Sequence, residues 1–191
     1  MNKDILEAKG KKYMEIEGRA SYYDLALEIV EDHPIQASII LLATWNVSRF
    51  RFMASDTNNL HELKQAFEKC KPIFQELKSS DIKTIDFDLV KPQIITLYST
   101  FSKIKGVEYT GTSKVLHLIN WNLFVMWDDH IRKGYEIYNN NAENYYNFLK
   151  KMQSKFGSIE WYNSSKTLAK AIDEYNYVEY TYPALHKKRR K

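Results

Sequence analysis

The sequence predicts an all-α chain, and three observations carry that prediction. Only four prolines and six glycines interrupt 191 residues. Apolar residues recur three and four positions apart, and no strand-like alternation lasts beyond a few residues. In "SYYDLALEIVEDH", Tyr22, Leu25 and Ile29 share one helical face, with Ser21 available as a cap. Pro34 opens "PIQASIILLATWN", which is apolar nearly all round and reads as a central buried helix. "NNLHELKQAFEKC" carries Leu60, Leu63 and Phe67 at helical spacing and starts at Asn58 or Asn59; "KPIFQELK" begins another turn. After the loop "SSDIKTIDFD", Asp88 can cap "LVKPQIITLYSTFSKI", whose Pro92 is tolerated near the first turn. "KGVEYTGTSKVLHLIN" reads as a helix end, a glycine-bounded turn and a second helix. "DDHIRKGYEIY" is a further helix, and "NAENYYNFLKKMQSKF" bears a stripe of Tyr145, Phe148, Leu149 and Met152. A last helix lies in "SSKTLAKAIDEYNYVEY", with Ser164 or Ser165 as its cap.

The totals bound the function. A hydrophobic content of 44% suits one domain, or two tightly packed lobes sharing a core, over residues 1–186. No apolar run approaches the length of a membrane span, and "MNKDILEAKGKK" has no apolar segment to make it a secretory signal. The single Cys70 excludes an internal disulfide and a cysteine-based metal cluster, and no His or Cys pair sits at ligand spacing. No metal and no cofactor is expected, and the default setting is intracellular and cytoplasmic. Net charge is +4, but Lys187, Lys188, Arg189, Arg190 and Lys191 alone supply five cations, so residues 1–185 sum to −1 with histidines neutral. This basic tail (187–191) either adds sequence-blind phosphate contacts or simply keeps the chain soluble.

Chemistry concentrates in "NLFVMWDDHIRKGY", residues 122–135, where an apolar segment runs into two carboxylates and an imidazole. Asp128 or Asp129 either caps a helix or acts as a catalytic carboxylate held beside apolar walls. His130 reads as a packing residue of a first helical turn, and His117 as a satisfied interface histidine. Arg49 and Arg51, in "SRFRF", alternate cation with aromatic and either follow a nucleic-acid backbone or are merely exposed.

Taken together, "KIKGVEYTGTSKVL" and the aspartate twelve residues beyond its closing leucine resemble the helix-hairpin-helix DNA glycosylase superfamily, the endonuclease III-like enzymes. Gly106-Val107 match the hairpin's first glycine and valine, Thr112 an alanine, and Val115-Leu116 its closing pair. Asp128 falls on the catalytic aspartate, followed by His130, Ile131 and the cations Arg132 and Lys133. The resemblance covers roughly residues 35 to 135, most specifically 105–134. It implies two helical lobes with a cleft between them, a hairpin at 103–116 and a catalytic-type aspartate region at 122–135. It further implies Asp128 as the catalytic residue, with Asp129 the alternative. DNA contacts would come from Lys103, Lys105, Gly106, Val107, Thr110, Gly111, Thr112, Lys114, Arg132 and Lys133. Upstream, "IILLATWN" resembles the family's early helix, so that Trp45 or Asn46 would intrude into the duplex. Trp45, Trp121 and Trp127 would stack on an extruded base, though aromatics at helical spacing are also ordinary core residues.

Three departures qualify the match. Glu108 replaces the hairpin's second glycine and would repel a phosphate unless it points away. Lys105 stands where the family has proline. Thr110 occupies the position of the lyase lysine, and a hydroxyl cannot form an imine, which makes a monofunctional enzyme the expectation unless Lys114 takes over. The implied activity is base excision from DNA, in which a fixed carboxylate stabilises positive charge growing on the sugar and assists the attacking water. Two other classes stay open: a non-catalytic module binding nucleic acid or protein, and a nucleoside N-hydrolase.

Overall fold

The computed structural model describes residues 2–163 and 166–187, which form helices with no strand among them. The helices are α1 (Lys3–Ile16), α2 (Ala20–Ile29), α3 (Pro34–Trp45), α4 (Val47–Ala54), α5 (Thr57–Glu76) and α6 (Lys91–Phe101). They continue with α7 (Glu108–Ile119), α8 (Asp129–Gly134), α9 (Ala142–Phe156) and α10 (Leu168–Asn176). A π-helical turn (Tyr177–Thr181) joins α10 to α11 (Tyr182–Lys187). No helix among the described residues is long and apolar enough to cross a membrane.

The expected α3 and α9 form as the sequence predicts. Pro34 is the first residue of α3, and the stripe Tyr145, Phe148, Leu149, Met152 is wholly buried. Elsewhere packing overrides the local signal. On α2 the buried face is Tyr23, Ala26 and Val30, whereas Tyr22 and Leu25 are exposed. The small, fully buried Ala26 faces Ala37 and Leu41 of α3, and this close contact rotates the helix by one position. Ser21 lies inside α2 and does not cap it.

Helix α5 is capped by Asp56, whose side chain accepts from the Asn58 amide, and not by Asn58 or Asn59. It runs unbroken through Pro72, where a separate turn was expected. Phe67 and Phe74, on either side of that proline, both pack on Phe101 of α6 with ring centroids 5.1 and 6.0 Å away. Those aromatic contacts compensate for the hydrogen bond a proline removes. Pro92 sits in the first turn of α6 as expected, but Asp88 does not cap that helix. Its carboxylate instead accepts from Tyr146 (2.5 Å) and Lys150 (2.7 Å), tying the preceding loop to α9.

The hairpin turn between α6 and α7 carries two left-handed residues, Gly106 at φ +94° and Glu108 at φ +51°. Gly111, read from sequence as bounding the turn, lies inside α7, where a Cβ would stand 2.8 Å from both Asn46 and Leu42. Gly106 is just as confined, since a Cβ there would approach the Met53 backbone nitrogen to 2.5 Å. Gly106→Ala therefore combines a strained φ with a backbone collision and is expected to destabilise the fold by about 2 kcal/mol, read by urea denaturation. An unchanged unfolding midpoint would show that α4 and the hairpin separate readily.

Helix α10 is capped by Thr167; Ser164 and Ser165 lie outside the described residues, as do Lys188, Arg189, Arg190 and Lys191 of the basic tail. The main core gathers side chains from α5, α6, α7, α9 and α10 around Trp127, Tyr98 and Tyr145, while a smaller cluster lies between α2, α3 and α7. Helix α1 packs along α10, and both α1 and α8 contact the π turn.

Candidate active site

Asp128 precedes the first residue of α8 in extended backbone, and its Oδ1 accepts from the amides of His130 (2.8 Å) and Ile131 (2.9 Å). The capping role is thus real. It uses one carboxylate oxygen only. Oδ2 accepts from the Thr181 hydroxyl at 2.7 Å, and the side chain lines a cavity of about 480 Å³.

The walls of that cavity come from distant parts of the chain. Trp45 and Asn46 arrive from the α3–α4 junction, Lys114 from α7, and Tyr177 and Thr181 from the π turn. Asp129 also borders it, but its carboxylate is engaged elsewhere, accepting from Arg132 (2.5 Å) and Tyr109 (3.1 Å). Burial works against its charge, yet the Arg132 and Tyr109 hydrogen bonds outweigh that and hold the carboxyl below its ordinary pKa. Lys114 donates from Nζ to the Trp45 carbonyl at 2.6 Å. Burial lowers its pKa to about 8, opposed by the charges of Asp128 and Asp173, so a substantial share of its amine is neutral in mildly alkaline solution.

Several expected contacts are not where the resemblance put them. Asn46 does not project as a wedge: it is 6% exposed, and its amide nitrogen donates to the carbonyls of Gly106 and Val107, both at 3.2 Å. It braces the hairpin against α3. Val107, Gly111 and Thr112 are buried, with α7 packed against α3 and Val107 at the wall of the Asp128 cavity. Arg132 is likewise buried, over the rings of Tyr109 and Trp127, with its guanidinium donating to Asp129 and to the Ile137 carbonyl. Its charge serves the interior. Trp127 is 1% exposed and packs edge-on to Tyr98 and Tyr145, so only part of its indole reaches the cavity. Trp121 lines a different cavity of about 650 Å³, with Trp161 and Leu27, and shares only the Tyr13–Trp45 wall with the first. Thr110 borders the Asp128 cavity and Gly106 is enclosed by α4.

Other expected cations are exposed. Lys103, Lys105 and Lys133 face solvent, and Lys105 and Arg51 both lie over the Phe52 ring. Glu108, at φ +51°, pairs with Arg49 at 3.2 Å, so its charge is partly offset at the turn. His117 is fully buried, as its reading as an interface histidine requires: Nδ1 donates to the Phe124 carbonyl (2.6 Å) and Nε2 accepts from Tyr23 (2.8 Å). His130 borders the cavity beside Asp128.

Several lining residues had no sequence signal of their own. Tyr13, Glu17 and Arg19 come from α1 and its exit, and Glu17 pairs with Arg19 at 2.8 Å. Asp173, Tyr177 and Thr181 come from the C-terminal segment. Behind them Lys170 lies in a cage of Tyr13, Tyr23 and Trp45 at 4.6, 4.7 and 5.0 Å, paired with Asp173 at 3.0 Å and Glu174 at 3.7 Å. The spacing of four from Asp173 through Tyr177 and Thr181 to Leu185 was the one clue available in the sequence. No family model, curated protein or solved structure matches this chain.

Proposed function

We propose that the chain is a helix-hairpin-helix glycosylase-like hydrolase that cleaves the N-glycosidic bond of a modified base in DNA, with Asp128 as the catalytic residue. The observation that carries this reading is the double engagement of Asp128: one oxygen is locked by the start of α8, while the side chain borders a cavity of about 480 Å³ walled by Trp45 and Trp127. A carboxylate fixed in this way stabilises the positive charge that develops on the sugar as the base departs. The hairpin of α6, Gly106 and α7 directly precedes that residue, in the order the resemblance requires. Arg51 and Lys105, exposed together over the Phe52 ring, and the exposed Lys103 support contact with a phosphate backbone.

The test is to incubate the protein with duplexes carrying uracil, oxidised or alkylated bases and to measure base release. Asp128→Asn is expected to lower the rate at least about 100-fold; a variant that retains full activity would remove Asp128 from the mechanism. Release without strand cleavage is expected, since Thr110 has no amine. Borohydride trapping reports whether Lys114 forms an imine instead.

A nucleoside N-hydrolase is the second reading. It is favoured by the enclosure of Gly106 and by Glu108 at the turn, which leave few amides free for a phosphate. Bases released from free nucleosides, detected by mass, separate the two.

A further inference from the structure

We infer that Thr181, on the C-terminal π turn, is a positioning residue that fixes the free carboxylate oxygen of Asp128 for the reaction. This rests on the reading of Asp128 as the catalytic group. The two α8 amides occupy Oδ1 and leave the carboxylate free to rock about that anchor. The Thr181 hydroxyl, donated to Oδ2 at 2.7 Å from a side chain only 5% exposed, removes that freedom. One lone pair of Oδ2 is left for the cavity.

The backbone that delivers this hydroxyl is unusual. Asp173, Tyr177, Thr181 and Leu185 all line the Asp128 cavity at intervals of four residues. In a regular α-helix each such step drifts by about 40°, so Leu185 would lie about 120° away from Asp173. The π turn, in which the Tyr182 amide donates five residues back to the Tyr177 carbonyl, holds one extra residue and sets the register back by about 100°. The four side chains consequently stay in one line along the cavity. A π turn costs hydrogen-bond geometry, and here it aims a buried hydroxyl at a carboxylate 53 residues away in sequence.

The turn is also clamped to α8. The Tyr180 ring lies on the bare backbone of Gly134, where a Cβ would approach it to 2.2 Å, and it meets the Tyr135 ring edge-on at 5.1 Å. Thr181 and Tyr180 therefore grip both ends of the six-residue α8.

The experiment compares wild type, Thr181→Val and Thr181→Ser, with two readouts. The first is the ¹³C signal of the Asp128 carboxyl in aspartate-labelled protein, identified by its loss in Asp128→Asn. The second is base release from the best duplex or nucleoside substrate. Valine keeps the shape and deletes the donor, so the signal is expected to move and kcat to fall about 10- to 100-fold with KM within about twofold. Serine is expected to restore both. An unmoved signal overturns the inference whatever the activity, and so does a shifted signal with unchanged kcat in an active enzyme. A shifted signal in a protein that releases no base from any substrate overturns the hydrolase reading alone, leaving Thr181's hold on the carboxylate in place.

Discussion

Replacing Lys170 by methionine is expected to destabilise the protein by about 3–5 kcal/mol. Lys170, Asp173 and Glu174 are 6%, 7% and 2% exposed, and the ammonium sits inside a cage of three aromatic rings. Burial opposes its charge, but Asp173 and Glu174 prevail and hold its pKa above the ordinary lysine value. Methionine fills much of the same volume while leaving Asp173 without its cation; Glu174 keeps Lys166 at 2.5 Å. The expected penalty is that of a buried, uncompensated carboxylate. The triple variant Lys170→Met, Asp173→Asn, Glu174→Gln should recover most of the loss, since removing all the charges leaves none unpaired. Urea denaturation of the single variant within about 1 kcal/mol of wild type would mean that water reaches the cluster.

Stability should also fall as the solution is acidified from pH 6.5 towards 4, by about 3 kcal/mol attributable to His117. Burial pushes this imidazole from 6.5 down to about 4, with the nearby Asp173 and the Phe124 carbonyl opposing. The sign follows from which state binds the proton. Between those two values the unfolded chain is protonated at His117 and the folded chain is not, so each step down in pH favours unfolding. The geometry suits a neutral imidazole, with Nδ1 donating to the Phe124 carbonyl and Nε2 accepting from the Tyr23 hydroxyl. In His117→Gln the fold is weaker throughout, but its unfolding free energy should change less over this window. Parallel curves for the two proteins would assign the acid sensitivity to carboxylates instead.

The helical class was legible because sparse glycine and proline, together with three- and four-residue apolar spacing, leave a chain few alternatives. The same holds for α9, whose stripe is strong enough to fix its buried face. A cap at Asp128 or Asp129 was legible because a carboxylate at a helix start has a local partner in the backbone two and three residues on, and the fold gives that role to Asp128. Local rules failed where packing decided. The face of α2 turned on how closely Ala26 lets α3 approach, and α5 passed Pro72 because aromatic rings on both sides needed the same wall. Arg132 looked like a phosphate contact in the sequence; its side chain is folded inward over Tyr109 and Trp127.

The sequence by itself determined the helical class, several of its helices, the hairpin glycine and a carboxylate at a helix start, each set by interactions spanning a few residues. Only the tertiary structure decided what that carboxylate faces. Glu17 from the end of α1, Trp45 from α3 and Thr181 from the π turn converge on it from more than fifty positions away. Nothing in a helical repeat encodes such a meeting. It depends on how α1 and α10 pack and on one extra residue in a single turn.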